Sequence, residues 1–351
     1  MGEALGSSGD ERIRIGFVGA GFMGQLVHLP NLTEMAGCEV VALADRRPRL
    51  ARLVADRFGI PEVCGSHEKL CADASIDAIV QITSDDAHAP VSIDALNAGK
   101  HVYLEKPMAT NLSDARRMVE AAGRNERQLM VGYMKRFDTG VELARSIIDD
   151  LKSSGELGTI THARGHCFAG NWVCNAGTPI QTDEPYPEIE PRPPAWLEEE
   201  RIGEIYSINN LYCHNINLMR YLLGDVRALR FASLDGPTRL MVFTMDGYEA
   251  VLELGKVTAD FWDEGVKVYF EDGWIEIHTP PPLLKNVPAR VSVYRAGAIQ
   301  QHVQPQAPRD WAFRRANVHF VTCIQSGATV RSSGADSIRD QELLEEAFRR
   351  F

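Results

Sequence analysis

Long apolar runs, an excess of positive charge and paired cysteines are all missing from this chain of 351 residues. No apolar run approaches the roughly 20 residues that a membrane-spanning helix needs. Residues 1–11 are polar and lack the cationic and apolar regions of a signal peptide, so we expect a cytoplasmic protein that does not contact a membrane. The formal net charge of −11 argues against a nucleic-acid partner, because phosphate binding needs a basic surface.

Cysteine and histidine usage gives no sign of a bound metal. The seven cysteines are scattered, odd in number and free of CxxC spacing, so neither a disulfide framework nor a structural zinc site is expected. His162 and His166 share one face of a predicted strand, but no acid or cysteine nearby in the sequence completes a ligand set. We therefore predict a protein without a metal ion.

A strand, a glycine turn and the start of a helix follow one another in residues 13–24. Gly19, Gly21 and Gly24 have the spacing that reverses a chain tightly, brings backbone N–H groups to a pyrophosphate and packs the next helix against the strand. An ordinary tight turn can have the same spacing. The following apolar run favours a dinucleotide site, because it ends in Asp45, where the ribose-binding carboxylate of such folds lies.

The cofactor type follows from Asp45 and its neighbours. A carboxylate accepts hydrogen bonds from ribose hydroxyls and repels a 2′-phosphate, which favours NAD. Arg46 and Arg47, directly after Asp45, could neutralise that phosphate, so NADP stays open. We predict that NAD contacts the glycine turn and the ends of three further strands, through Gly19, Gly21, Phe22, Met23, Gly24, Asp45, Arg46, Thr83, Ser84, His88, Glu105 and Lys106.

The pattern of secondary structure changes along the chain. Helical segments alternate with short apolar runs up to about residue 135, which is typical of a parallel sheet with helices on both faces. Later runs are β-rich and separated by Asp-Gly turns, which indicates a mostly antiparallel sheet. We predict an α/β chain with a Rossmann domain in residues 1–135, followed by an α+β domain with a large open sheet in residues 136–351.

Residues 170–204 form a proline-rich, acidic insertion. Within it, residues 180–204 hold eight acids and two arginines, a local balance of −6. A solvated surface loop explains this composition about as well as a lid that attracts a cationic ligand, so both interpretations stay open.

Lys106 is a candidate catalytic residue. It follows the apolar run 101–104, and so it should lie at the carboxyl end of a parallel strand, where ligands bind in such sheets. There its ammonium group could stabilise an alkoxide that develops on a substrate. A surface lysine in a turn is the alternative interpretation.

A second candidate, His214, lies on the helix predicted for residues 207–223. Helical spacing places Asn210, His214, Asn217 and Tyr221 in one polar stripe. Because histidine titrates near neutrality, His214 could take a proton from a secondary alcohol as a general base. A lone histidine on a helix is more often structural, however.

Several motifs together resemble one known family. They are the glycine turn, Glu105-Lys106-Pro107, residues 132–137 and the His214 helix ending at Gly224. The chain is similar in them to the glucose-fructose oxidoreductase/inositol dehydrogenase/rhizopine catabolism family. That resemblance implies NAD(P) bound between a Rossmann domain and a second domain, whose open sheet mediates homodimers or homotetramers.

The resemblance also implies an activity and its residues. Family members mostly oxidise or reduce secondary hydroxyls of sugars and cyclitols, with Lys106 as the catalytic lysine and His214 as the proton-transferring histidine. Tyr133, Arg136, Asn210 and Asn217 are then predicted to bind the carbohydrate. The family usually has aspartate where Asn210 and Asn217 stand, so Asn210 should orient groups rather than titrate.

The substrate is not inherited from the resemblance, because the insertion and the two asparagines depart from the family pattern. The acidic insertion favours an amino sugar or an aminoglycoside precursor, oxidised to a ketone ahead of transamination. Alternatives are a nucleotide-sugar or inositol dehydrogenase, a ketosugar reductase, an NAD-dependent glycosidase and a non-catalytic sugar sensor.

Overall fold

A computed structural model describes residues 12–256 and 260–350 of the chain. Residues 1–11, on which the expectation about a signal peptide rests, lie outside the described residues. The described part is built on two sheets, one of six strands and one of eight. Among the described residues, no helix is long and apolar enough to span a bilayer.

The first sheet is parallel and has the strand order β3-β2-β1-β4-β5-β6. This is the order of the doubly wound dinucleotide fold, in which the strand order reverses between β1 and β4. Strands β1 and β4 are nearly continuous apolar runs because helices cover both faces of the sheet. The strands are β1 Ile13–Val18, β2 Cys38–Ala44, β3 Glu62–Cys64, β4 Ala78–Gln81, β5 His101–Leu104 and β6 Leu129–Val131.

Capping residues set where the helices between these strands begin and end. Gly59, with φ +68°, ends α2 in a left-handed conformation that glycine adopts without strain. The side chain of Asn111 caps α5 by accepting from the backbone N–H of Asp114. The helices are α1 Leu29–Thr33, which continues a π-helical turn at Gly24–His28, α2 Pro48–Phe58, α3 His67–Ala72, α4 Asp85–Asn97 and α5 Leu112–Arg124.

The second sheet has the order β14-β13-β12-β11-β7-β10-β9-β8. Only the pairing of β7 with β10 is parallel, so the prediction of a mostly antiparallel sheet is confirmed. The strands are β7 Ile160–Ala169, β8 Ala228–Ser233, β9 Arg239–Thr244, β10 Glu249–Lys256, β11 Asp263–Phe270, β12 Gly273–His278, β13 Arg290–Arg295 and β14 Gln301–Val303.

Two long helices, α6 Thr139–Ser154 and α7 Ile202–Leu223, cover one face of this sheet. Alternate residues of the strands pack against them in a buried core, for example Ala163 of β7 and Val268 of β11. The opposite face carries partly exposed side chains and no helix of the described residues. It is called the open face below.

The last part of the chain returns to the first sheet. In helix α8, Ala312–Ser326, Phe320 is buried against Tyr103 of β5, with ring centroids 5.6 Å apart. Helix α9, Gly334–Arg350, packs against both α5 and α7. A single boundary at residue 135 therefore does not describe the packing, because α8 shares the core of the first sheet.

Candidate active site

A cleft of about 930 Å³ lies where the carboxyl ends of β1, β4 and β5 face helix α7 and the second sheet. Most predicted cofactor residues line it, as do Lys106 and His214. Ligands of open α/β sheets bind at this edge, beside the point where the strand order reverses. The predicted cofactor residues in the wall are Gly19, Gly21, Phe22, Met23, Asp45, Arg46, Thr83, Ser84, Glu105 and Lys106.

The three glycines of the turn serve different purposes. Gly19 has φ +101°, and a Cβ there would lie 2.1 Å from the carbonyl oxygen of Ile82. A Cβ on Gly24 would lie 2.6 Å from the carbonyl oxygen of Gly19, so this glycine lets the helix pack closely. A Cβ on Gly21 would meet no atom within 4 Å, because Gly21 faces the open cleft. The turn thus fits a pyrophosphate held close to the backbone.

Asp45 directly follows β2, at the rim of the cleft. Its carboxylate accepts hydrogen bonds from the backbone N–H groups of Ala20 and Arg47, at 2.8 and 2.9 Å. The guanidinium of Arg47 pairs with the same carboxylate at 3.0 Å, and this hydrogen bond raises the pKa of Arg47. The guanidinium also lies 4.8 Å from the ring centroid of Tyr186. A carboxylate and a guanidinium therefore stand together where a ribose or its 2′-phosphate would bind.

The insertion crosses the cofactor half of the cleft and is anchored to the first domain. The side-chain amide of Gln25 exchanges two hydrogen bonds with the backbone of Ile180. Glu184 accepts from the N–H groups of Arg49 and Leu50 in the first turn of α2. Farther along, Arg192 binds Asp114 through two hydrogen bonds.

The insertion presents aromatic and apolar residues to the cleft rather than carboxylates. Trp172, Tyr186, Pro187 and Ile189 line the wall, and the Trp172 ring lies 5.6 Å from that of Phe22. The acids Asp183, Glu188 and Glu190 are exposed to solvent and are not part of the wall. The segment therefore covers the cleft with apolar surface and keeps negative charge outside it.

Lys106 follows β5, and its side chain reaches helix α7, where it contacts Asn210. Its Nζ donates to the carbonyl oxygen of Asn210 at 3.1 Å and to the side-chain oxygen at 3.4 Å. The Asn210 amide nitrogen donates in turn to Asp85 at 2.9 Å. An amide can accept from a cation and donate to an anion at once, which a carboxylate at this position could not do.

His214 lies one helical turn after Asn210 in the wall of the same cleft. Its Nδ1 is buried and has no hydrogen-bond partner among the described residues. Burial lowers the pKa of His214 well below its usual value, and the positive charges of Lys135 and Lys106 lower it further. The imidazole is therefore neutral at neutral pH, which is the form that accepts a proton.

A buried ion pair that the sequence analysis missed completes the wall. Lys135 Nζ lies 2.9 Å from Glu264 Oε1, and both residues line the cleft. Glu264 also accepts hydrogen bonds from Asn215 and Thr279. Lys135 lies in the family motif of residues 132–137, which was a usable signal, but nothing near Glu264 in the sequence marked it.

Three of the four residues predicted to bind carbohydrate do not reach the cleft. Arg136 donates to Asn217 at 2.7 Å and pairs with Asp336 at 2.6 Å. Asn217 donates to Asp340. Arg136 and Asn217 therefore belong to a buried network beneath α9 rather than to the cleft wall. Tyr133 is buried behind His214, with ring centroids 6.1 Å apart.

His88, behind the cleft wall, and Glu105, within it, position the segment that follows β5. His88 Nδ1 lies 2.7 Å from the carbonyl oxygen of Pro107, and His88 is fully buried outside the wall. Glu105 accepts from the backbone N–H of Lys106 at 3.1 Å and lies 2.9 Å from His28 Nε2. Burial alone would raise the pKa of Glu105, but the hydrogen bond to His28 and the charges of His28 and Lys106 hold it below its usual value.

The strand order, the glycine turn and Asp45 define a dinucleotide-binding Rossmann protein. The model of the family described as "Oxidoreductase family, NAD-binding Rossmann fold" matches residues 13–133. Residues 13–133 therefore match the glucose-fructose oxidoreductase/inositol dehydrogenase/rhizopine catabolism family of the predicted resemblance. The predictions of the family and of an NAD-binding fold are therefore confirmed.

Relatives and one solved structure show how far the similarity extends. Inositol 2-dehydrogenase of Salmonella typhimurium is 33% identical over 170 residues, 48% of this chain, so the match spans about half (49%) of that relative. Inositol 2-dehydrogenase 3 of Saccharopolyspora erythraea is 27% identical over 92% of this chain and 86% of that protein. A 3-ketoreductase from Actinomadura kijaniata, in complex with TDP-benzene and NADP, has a TM-score of 0.73 and 21% identity over 97% and 98% of the two chains. That likeness confirms the fold.

The pairing of Asp45 with Arg47 generates a prediction about cofactor choice. We expect NAD to bind at least tenfold more tightly than NADP, about 1.4 kcal/mol, because the carboxylate repels a 2′-phosphate. Fluorescence titration with NADH and NADPH measures both affinities. Asp45→Asn removes the charge and should lower the ratio, whereas Asp56→Asn, an exposed carboxylate on α2, should leave it unchanged. Equal affinities in the unaltered protein would mean that Arg46 or Arg47 accommodates the phosphate.

Proposed function

We propose that this protein is an NAD(P)-dependent dehydrogenase that oxidises a secondary ring hydroxyl of a sugar or cyclitol to a ketone. The observation that carries the proposal is the meeting of Lys106 and a neutral His214 in one cleft with the glycine turn. The two inositol 2-dehydrogenases among its relatives support this substrate class.

The residues of the cleft have separate roles in this reaction. When bound, the nicotinamide ring supplies the redox chemistry by taking hydride from the substrate carbon. His214 takes the hydroxyl proton, for which its lowered pKa keeps it available. The Lys106 ammonium donates a hydrogen bond to the same oxygen and stabilises the negative charge that develops on it.

Asn210 holds Lys106 in position for this role. Its side chain contacts the ammonium on one side and Asp85 on the other, so the negative charge of Asp85 acts on Lys106 through an amide. The prediction that Asn210 orients rather than titrates agrees with this geometry. The charge of Lys135, which is paired with Glu264, lowers the pKa of His214. The Lys135 ammonium is also a second donor in the cleft wall that can bind substrate hydroxyls.

Substitution of the two catalytic residues tests the mechanism. Lys106→Ala and His214→Ala should each keep the fold and NADH binding while lowering kcat at least a hundredfold, about 2.7 kcal/mol. Lys152→Ala, an exposed lysine on α6, is the control. Stopped-flow measurement of NADH formation with a panel of sugars and cyclitols gives the rates.

The pH dependence identifies the base in the same experiment. Because the folded-state pKa of His214 is lowered, kcat/KM should stay level as pH falls through the ordinary histidine value of about 6.5, and decline only below it. Near-normal turnover of His214→Ala at every pH would remove His214 as base.

Product without stoichiometric NADH would favour the glycosidase instead, and cofactor binding without turnover would favour a sensor.

The finer proposal is an amino sugar or aminoglycoside precursor as substrate. The insertion supports this proposal, because exposed acids alternate with residues of the cleft wall in the sequence Pro187-Glu188-Ile189-Glu190. These carboxylates lie outside the wall, so they would attract a cation through their field as it approaches rather than by direct contact.

Salt and charge removal test this preference. For an aminocyclitol glycoside, KM should rise several-fold between low salt and 0.5 M salt, because exposed charges are screened over less than about 8 Å above physiological ionic strength. Glu188→Gln with Glu190→Gln should raise KM at low salt only. The N-acetylated glycoside, which is neutral, serves as the control substrate. A clear preference for a nucleotide sugar, or no salt effect, would leave the acids as a solvated surface.

We further propose that two or four copies associate through the open face. Trp274 and Tyr294 stack there with ring centroids 5.9 Å apart, and Leu240 and Val242 are only partly buried in the single chain. Trp274→Asp should convert the assembly to monomers in light scattering after gel filtration, because it places a charge in the apolar contact. Leu53→Asp, at an exposed position on α2, should not. A monomeric unaltered protein would contradict the proposal.

A further inference from the structure

The open face holds two imidazoles and a carboxylate that the proposed reaction does not use. His166 of β7, Asp263 of β11 and His278 of β12 offer ligand atoms that all lie within 4.8 Å of one another. His166 Nε2 is 2.9 Å from Asp263 Oδ1. In the single chain the side chain of His166 is 17% exposed and those of Asp263 and His278 are about 40% exposed, so the cluster opens on one side of the sheet.

The register of the sheet brings the two histidines together. Gly265 of β11 pairs with His166 on one side and with His278 on the other. A Cβ at position 265 would lie 3.2 Å from His166 Cε1 and 3.4 Å from His278 Nδ1. Both rings therefore converge over the glycine, in the space that any other side chain would fill. Asp263, two residues before Gly265, points to the same face.

The sequence analysis found no acid to complete a ligand set for His166, and the fold corrects that reasoning. Asp263 and His278 are distant in sequence, and only the pairing of β11 with β7 and β12 brings them to His166. His162, the other histidine considered, is not part of the cluster. Its ring lies 6.1 Å from that of Tyr269 instead.

We propose that His166, Asp263 and His278 bind one divalent transition metal ion, with Zn²⁺ as the best match. Two imidazole nitrogens and a carboxylate oxygen are common zinc ligands, and a water would take the fourth position. Bonds of about 2.0–2.2 Å place tetrahedral ligand atoms about 3.4 Å apart. The His166–Asp263 separation is 2.9 Å and no separation exceeds 4.8 Å, so side-chain rotations can bring all three atoms to one metal ion.

The charges around the cluster permit a cation. Glu276 Oε1 lies 3.7 Å from His278 Nε2 and adds a second carboxylate at the edge of the site. The nearby ammonium of Lys267 is 3.6 Å from the same carboxylate and 3.9 Å from the centroid of the Trp274 ring. Its charge is thus partly balanced before a metal arrives.

The position of the ion links it to the cleft. It would join three strands, β7, β11 and β12, at one point on the open face. The residues next to its ligands, Cys167 and Glu264, point to the opposite face and line the substrate end of the cleft. The ion would therefore brace the strands that hold Glu264, and through it Lys135, in place.

Metal binding to the full-length protein tests the proposal. Protein stripped with EDTA is dialysed and titrated calorimetrically with ZnCl₂, and with MgCl₂ as the hard-cation control. We expect one zinc per chain, lost or weakened at least tenfold by His166→Ala, by His278→Ala and by the nearly isosteric Asp263→Asn. His162→Ala, four residues away on the same face of β7, should bind zinc as the unaltered protein does.

Two further measurements keep the outcome clear. Zinc should raise the melting temperature of the unaltered protein and of His162→Ala but not of the other three variants, because only a folded site binds the ion. NADH titration shows whether each variant is folded, since the cofactor half of the cleft lies away from the cluster. Uptake of no zinc by the unaltered protein, or equal number and affinity of zinc sites in all folded variants, would overturn the proposal.

Discussion

The contact of Gly19 with the end of β4 is the constraint on which the cleft depends. With φ +101° and no side chain, Gly19 lies against the carbonyl group of Ile82, where a Cβ would stand only 2.1 Å from the oxygen. The ends of β1 and β4 can then lie level with each other. As a result, the glycine turn, Thr83 and the strand end that carries Lys106 all open onto the same space.

Asparagine amides connect cations to carboxylates on both sides of His214. Asn210 accepts from Lys106 and donates to Asp85, and Asn217 accepts from Arg136 and donates to Asp340. An aspartate at either position would set two carboxylates against each other, because it can only accept when ionised. In this structure each asparagine therefore lies between a cation and a carboxylate, and its amide satisfies both.

The insertion has two sides of different character. It is solvated on its outer side, where the acids lie, and it covers the cofactor half of the cleft with Tyr186, Pro187 and Ile189 on its inner side. Its anchors, Gln25 and Asp114, belong to the first domain. Tyr186 both lines the cleft and contacts Arg47, so the insertion and the rim beside Asp45 form one continuous wall.

The sequence by itself determined the features that depend on residues close together in the chain. The glycine turn, Asp45, the alternation of strands and helices, and the placement of Lys106 at a strand end all follow from local spacing and chain geometry. Helical spacing made His214 a candidate base, the family pattern implied the same role, and the structure places His214 in the same cleft.

Only the tertiary structure decided which polar side chains meet. Of the predicted stripe on α7, Asn210 and His214 face the cleft, whereas Asn217 lies in the network beneath α9 because the helix runs from the cleft into the interior. Lys135 meets Glu264, and His166 meets Asp263 and His278, through strand pairings and packing between distant segments. Side-chain spacing along a strand or helix indicates a shared face, but the register between strands and the crossing of helices set what that face contacts.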